Sequence, residues 1–297
     1  MQVMLDLNYG MMTFFLITTD HLEDRLWFRD DEDFRVAMNY VAIVAYLMGV
    51  DVLAFILMSN HVHFVLQCPE EKAGAFITEF KRLYSFYLSR KYGAKESLRG
   101  NGVDVQPLGL GDELERAIAY VQMNCVAANI CLNPADYPWG TGNCFFRSVP
   151  DKGRALGSLS ARSRNRMMHS KINLPCEWIV GEEGFILPCS FVNVPFVESL
   201  YRNPKNMDFY LRNSSKAKRR LAHGEKGLPA FRDQIILSAI PDLCQSLFHK
   251  WHIDELEKDQ RSTLVSQIRH RFSADVNQIA RVTGMPYSEV ARMLEGF

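Results

Sequence analysis

Residues 57–67 read Leu-Met-Ser-Asn-His-Val-His-Phe-Val-Leu-Gln, a run apolar almost throughout except for two histidines one residue apart. Ser59 and Asn60 are turn formers, so the stretch predicts a hairpin: a strand over 51–58, a tight turn, and a returning strand over 61–67. Side chains alternate along a strand, so Val62, Phe64 and Leu66 point one way and form a core face. His61, His63 and Val65 point the other way, which sets two imidazoles side by side, close enough to hold one metal ion. The same pair also reads as a satisfied core histidine beside an exposed one, and the stretch alone leaves both readings open.

Working outward, 12–19 (Met-Thr-Phe-Phe-Leu-Ile-Thr-Thr) is short, aromatic and β-branched, a strand. Residues 31–48 place Phe34, Ala37, Met38, Val41, Val44, Ala45 and Met48 at helical spacing, and Gly49 ends that helix. A second amphipathic helix spans 71–92, burying Phe76, Phe80, Leu83, Tyr84, Tyr87 and Leu88. An irregular, glycine-rich piece follows over 93–111, and Asp112 caps a helix reaching about Ala128. The order β-α-β-β-α-(β)-α predicts an α+β fold with a ferredoxin-like antiparallel sheet and packed helices. That domain is expected over 1–150. A basic, irregular, proline-punctuated connecting region is expected over 151–230, and an all-α extension over 231–297.

The 297 residues are 47% hydrophobic and 23% charged, a soluble profile, and the formal net charge is zero. Overall balance therefore indicates no partner, but its distribution is uneven. Lys152, Arg154, Arg162, Arg164, Arg166 and Lys171 share their stretch with no acid, and Ser-Lys-Ala-Lys-Arg-Arg at 215–220 adds a second basic cluster. Such runs are solvated surface or polyanion contacts. The seven cysteines include no Cys-x-x-Cys pair and no zinc-site spacing, so reduced thiols and a cytoplasmic location are expected. No basic leader precedes an apolar run at the start. Asn39, Tyr40, Gly49 and Asp51 interrupt the apolar stretch at 36–58, so no membrane span is expected.

A metal site needs further ligands, and phosphoryl chemistry needs a nucleophile. In the helix from 112, Tyr120 and Asn124 lie one turn apart on one face, beside the apolar stripe of Leu114, Ala117, Ile118 and Val121. A phenol and an amide there can reach into a shared cleft, or can simply make border hydrogen bonds. A histidine-triad nucleotide hydrolase would need a third histidine at Val65, and the glycine and glutamate of a cupin-type site are not apparent.

Three segments in order do carry a resemblance. Met-Ser-Asn-His-Val-His-Phe-Val-Leu resembles the signature of the HUH endonucleases, in which U is apolar. Tyr120-Val-Gln-Met-Asn124-Cys-Val-Ala-Ala-Asn-Ile resembles the Tyr-Ile-His-x-Asn-Pro-Val-Arg-Ala-Gly-Leu segment of the REP-associated tyrosine transposases, and Asp136-Tyr137-Pro138-Trp139 their Asp-Tyr-Pro-Trp. The resemblance spans roughly 10–147. It implies an HUH fold in which His61, His63 and Asn124 bind a divalent metal, Mg2+ or Mn2+, and Tyr120 is the nucleophile. The implied activity is single-stranded DNA cleavage and strand transfer through a 5′-phosphotyrosine, on DNA that forms hairpins. Whether the tyrosine acts in its own chain or across a homodimer stays open.

The chain departs from that pattern in several places. Ser59 stands where proline is frequent, Cys125 replaces the proline after the asparagine, and Ala127 and Asn129 replace arginine and glycine. The usual Phe-x-Gly-Arg-Phe/Tyr-Lys strand is absent from Leu98-Arg-Gly-Asn-Gly-Val-Asp-Val-Gln-Pro-Leu, where only Arg99 remains as a phosphate contact. At the other end, 275–295 place Ala280, Gly284 and Val290 at the spacing of a helix-turn-helix, with Tyr287, Ser288 and Arg292 on the second helix's open face. Lys258, Arg261, Arg269, His270 and Arg271 on the preceding helix either reach phosphates, giving affinity without sequence choice, or are simply solvated. Two rivals accompany the nuclease reading: a domesticated DNA-binding regulator that no longer cuts, and a structural protein in which His61 and His63 only pack.

Overall fold

Asp30 and Gly49 set the limits of the first long helix. The Asp30 side chain accepts from the Asp33 N–H at the start of α1 (Asp31–Met48), and Gly49, at φ 57°, turns its N–H back onto Ala45 O and Tyr46 O. The chain then enters β2 (Asp51–Met58), reverses at Ser59-Asn60, and returns as β3 (His61–Cys68). With β1 (Thr13–Thr18), α2 (Glu70–Tyr92) and β4 (Asp104–Leu108), the order is β1-α1-β2-β3-α2-β4. This computed structural model describes residues 13–19, 26–93, 98, 102–128, 130–149, 152–214, 231–272 and 274–295.

The four strands form one antiparallel sheet in the order β2-β3-β1-β4, the ferredoxin-like arrangement expected from the sequence. The strand left bracketed there is real, although 104–108 lies inside the stretch read as irregular. It is an edge strand whose Pro107 cannot donate to a ladder, which obscures its pattern.

The sheet has two covered faces. Phe64 packs on Phe76 and Phe80 of α2 at ring distances of 5.2 and 5.7 Å, so α1 and α2 close that side. His63 points to the opposite side, where α3 (Asp112–Gln122) lies. The helix expected to run to about residue 128 is broken at Met123, whose ψ of 1° separates α3 from the short α4 (Asn124–Ala127).

The described part of 151–230 is not irregular. It forms β5 (Gly153–Ala155), α5 (Ala161–Met168), β6 (Ile179–Gly181), α6 (Val194–Tyr201) and α7 (Pro204–Asn213). Leu156, Met168, Ile186, Val197, Tyr201 and Met207 join the same apolar core as the sheet. Its prolines start helices: Pro195 and Pro204 sit in first turns behind Asn193 and Asn203, whose side chains accept from Phe196 N and Asn206 N. The second basic cluster, 215–220, lies outside the described residues.

The C-terminal portion is all-α, with α8 (Asp233–Phe248), α9 (Lys258–Phe272), α10 (Val276–Thr283) and α11 (Tyr287–Glu295). They enclose a separate apolar cluster around Ile236, Leu264, Ile268, Ile279 and Val290. No helix among the described residues is long and apolar enough to cross a membrane. All seven cysteines are free thiols.

Candidate active site

Cross-strand pairing places His63 opposite Thr18 on β1 and Ile56 on β2, so these side chains share the face turned to α3. His61 pairs with Met58 beside the turn. The Thr19 hydroxyl accepts from Val62 N (2.9 Å) and lies 3.2 Å from Val62 O, seating the residue between the histidines. The two imidazole rings stand 4.9 Å apart at 83°. His63 is fully buried, whereas His61 is half-buried.

His61 Nδ1 lies 2.9 Å from Asn60 Oδ1. With the carboxamide oxygen turned to it, Nδ1 is the donor of a neutral ring, the tautomer whose Nε2 lone pair can bind a metal. A partner on one ring nitrogen that fixes the basicity of the other is the usual companion of a metal-binding histidine.

Tyr120 closes the group from the other side. Its ring meets His63 edge-on at 5.4 Å and 79°. Asn124 follows one turn later and is buried. Its Nδ2 donates to Tyr120 O (2.9 Å) and Val121 O (3.4 Å), which turns the amide hydrogens back onto the last turn of α3 and leaves Oδ1 as the acceptor. Helix α3 is in turn buttressed from outside the expected domain. Tyr201 O–H donates to Glu115 O at 2.6 Å, and Tyr210 O–H donates to Asp112 Oδ1 at 3.0 Å.

Among the described residues no three His, Cys, Asp or Glu side chains gather as a metal site. A cation here would therefore rest on two imidazoles and one carboxamide. The donors fit: two nitrogens with a fixed tautomer on one, and an amide oxygen relieved of donor duties. They are also all neutral, so anionic oxygens of a substrate would have to supply the balancing charge.

Cys125 comes directly after Asn124. Its thiol shares a hydrogen bond with Cys131, which together with burial pushes Cys125 up; at Cys131 the same bond outweighs burial and holds the thiol below its ordinary range. Tyr84 and Tyr87, on the buried side of α2, lie in the helical layer across the sheet. There their hydroxyls donate to Trp27 O and Asp33 Oδ1.

Other expected contacts lie elsewhere. Arg162, Arg164 and Arg166 are on α5, which leans on α1 through Asn39 Nδ2 to Met167 O (3.2 Å) and on α2 through His169, just past its end, against Tyr87. That is the layer covering the opposite sheet face from His61 and His63. Tyr287, Ser288 and Arg292 are exposed on α11, and Arg99 falls outside the described residues. The sequence reading missed Thr19, Asn60 and Tyr201. Asn60 had a signal, being a hydrogen-bonding residue next to the first histidine. Tyr201, 86 positions from Glu115, had none.

No protein-family model matches the chain, and no curated protein does. One solved structure, a REP-associated tyrosine transposase bound to a REP hairpin, is similar over 45% of this chain and 78% of that one, at 14% identity and a TM-score of 0.37.

Proposed function

We propose that the chain is a DNA strand-cleaving and strand-joining protein of the HUH type, with Tyr120 as its nucleophile. The observation that carries this reading is the ring contact between Tyr120 and His63, with His61 stacked edge-on beside them. Residues from a hairpin and from a helix some sixty positions later meet on one sheet face, in the combination that phosphodiester transfer to a phenol requires.

The Tyr120 oxygen attacks a backbone phosphorus of single-stranded DNA. A tyrosine O–P bond forms, the P–O3′ bond breaks, and the phenolic proton goes in the end to the departing 3′ oxygen. The product is a 5′-phosphotyrosine and a free 3′-hydroxyl. Bond energy is kept, so the reverse step rejoins a strand. His61 Nε2, His63 and Asn124 Oδ1 would hold Mg2+ or Mn2+. A cation held there would withdraw charge from the scissile phosphate, which a weak phenol nucleophile needs. A single strand suits the site because its backbone can bend into a cleft. Exposed Tyr287, Ser288 and Arg292 on α11 and the arginines of α5 would add contacts to DNA outside the reacting strand.

The test is a denaturing gel for covalent protein–DNA adduct, using hairpin-tailed single strands with Mn2+. Wild type should form adduct, and Tyr120→Phe should form none while still shifting DNA in a native gel. Adduct persisting in Tyr120→Phe would sink the assignment. Wild type that binds DNA but never forms adduct would favour the regulator reading.

A further inference from the structure

The C-terminal helices have their own apolar core, yet among the described residues they meet the rest of the chain through buried polar groups at one place. That place is the turn preceding His61. Gln234, in the first turn of α8 and only 8% exposed, donates from Nε2 to Phe28 O (2.8 Å) and to Ser59 Oγ (3.3 Å). The Ser59 carbonyl is itself occupied, accepting from Trp27 N (2.8 Å) and Phe28 N (3.1 Å). Beside this knot Arg232 reaches Asp31 at 3.4 Å.

The first turn of α8 is held from behind as well. Asp233, 3% exposed, accepts from Gln278 Nε2 (2.8 Å) and from Arg281 Nε (3.0 Å), both on α10. Successive residues of α8 are therefore bonded on two sides, Asp233 to α10 and Gln234 to Ser59, and Ser59 is the chain neighbour of Asn60, whose side chain meets the ring of His61.

We propose that Gln234 is a positioning residue for His61. By clamping Ser59 it fixes the turn, and thereby the Asn60 oxygen that faces His61 Nδ1 and selects the tautomer protonated there. The C-terminal helices thus act on the cation site through the hairpin turn as well as being a surface that could meet DNA. The inference rests on the metal-site reading above. It explains why a polar side chain is buried at a junction where an apolar one would pack without needing partners.

The experiment uses full-length protein and two readouts. Long-range 15N–1H correlations of the imidazoles, with His61 assigned by its loss in His61→Gln, read the tautomer without metal. Titration with Mn2+ alone, followed by broadening of the same ring signals, reads occupancy. Wild type should show His61 protonated at Nδ1. Gln234→Ala, and Gln234→Glu, which keeps the volume but loses the donors, should show mixed tautomers. Both should need about threefold to tenfold more Mn2+ for half-broadening, a smaller effect than removing a direct partner of a ligating histidine. Ser59→Ala, which spares the Phe28 contact, takes their place should both glutamine variants unfold, and should show the same change to a smaller degree. A merely structural glutamine would lower the melting temperature and leave tautomer and Mn2+ response alone, and that result overturns the proposal. Wild-type rings that never respond to Mn2+ would instead overturn the metal site, whereas an unchanged tautomer in the variants removes the clamp whatever the metal does.

Discussion

Gly140 tests whether the 137–141 segment holds the sheet edge beside the candidate site. It forms a bridge with Ile56, the β2 partner of His63. A Cβ there would lie 2.7 Å from Phe55 O, 3.2 Å from Ile56 Cα and 3.3 Å from Ile56 Cγ1. The closest of these is backbone, so no side chain can swing aside, and the segment must retreat by roughly half an ångström or more to reach ordinary contact. Retreat stretches Leu57 N to Trp139 O (2.8 Å) and Thr141 N to Phe55 O (3.0 Å), and strains Tyr137 O–H to Leu57 O (2.7 Å). Overpacking of this kind costs about 1–3 kcal/mol, and each weakened bond adds a fraction of its ~1 kcal/mol, so Gly140→Ala should lose about 2–3 kcal/mol. In urea that is a midpoint lower by about 1 M at an unchanged slope. Gly74→Ala is the contrast: nothing lies within 4 Å of its Cβ, and the position is inside α2. It should gain roughly 0.5–1 kcal/mol from helix propensity alone. A Gly140→Ala midpoint within error of wild type would show that the segment is not held against β2 as described.

Lys91 bonds Asp30 at 2.7 Å and the fully buried Asp33 at 2.8 Å, and Asp33 also accepts from Tyr87, Tyr92 and Arg29 N. Lys91→Met should therefore cost about 2 kcal/mol near neutrality, less than the ~3–5 of a wholly orphaned buried charge. Burial works against Asp30's charge, but Lys91 and the helix N–H groups outweigh it and hold the carboxyl below 3.8. The stability it contributes is present above that value and lost as pH falls through the folded one, so the gap between wild type and variant should narrow in acid titration. An equal gap at about pH 7 and about pH 3 would contradict the pairing. Tyr201→Phe deletes the hydroxyl bound to Glu115 O and should lower the melting temperature by about 2–4 °C, for a loss of ~1 kcal/mol; no change would mean α3 is not buttressed there.

The hairpin was legible because both its faces are covered and its turn has turn residues: apolar alternation and Ser-Asn gave register, and register fixed which side the histidines take. What lies over that side was not legible. Spacing set Tyr120 and Asn124 one turn apart, but the meeting of Tyr120 with His63 depends on α3 crossing the sheet opposite α1 and α2. That crossing is held by Tyr201 and Tyr210, far along the chain. The stretch containing those tyrosines was misread as irregular for a physical reason. Its helices are eight and ten residues long, too short for periodicity to accumulate, and prolines that open helices look the same as prolines that end them.

The junction with the C-terminal helices escaped for a different reason. Hydropathy patterns find cores by their apolar periodicity, and both apolar clusters could be anticipated on that basis. The contact described between them is made by Gln234 and Arg232 with Ser59 and Asp31, residues whose composition predicts solvent. Buried polar groups must each be matched by a partner in the right place, so such a junction is more demanding of geometry than an apolar one and less tolerant of substitution. Its position beside Asn60 and His61 is therefore informative in a way that an apolar contact of equal area would not be. A fold that needed only to attach its C-terminal helices could have used leucine; one that must hold a turn in a single register has reason to use an amide.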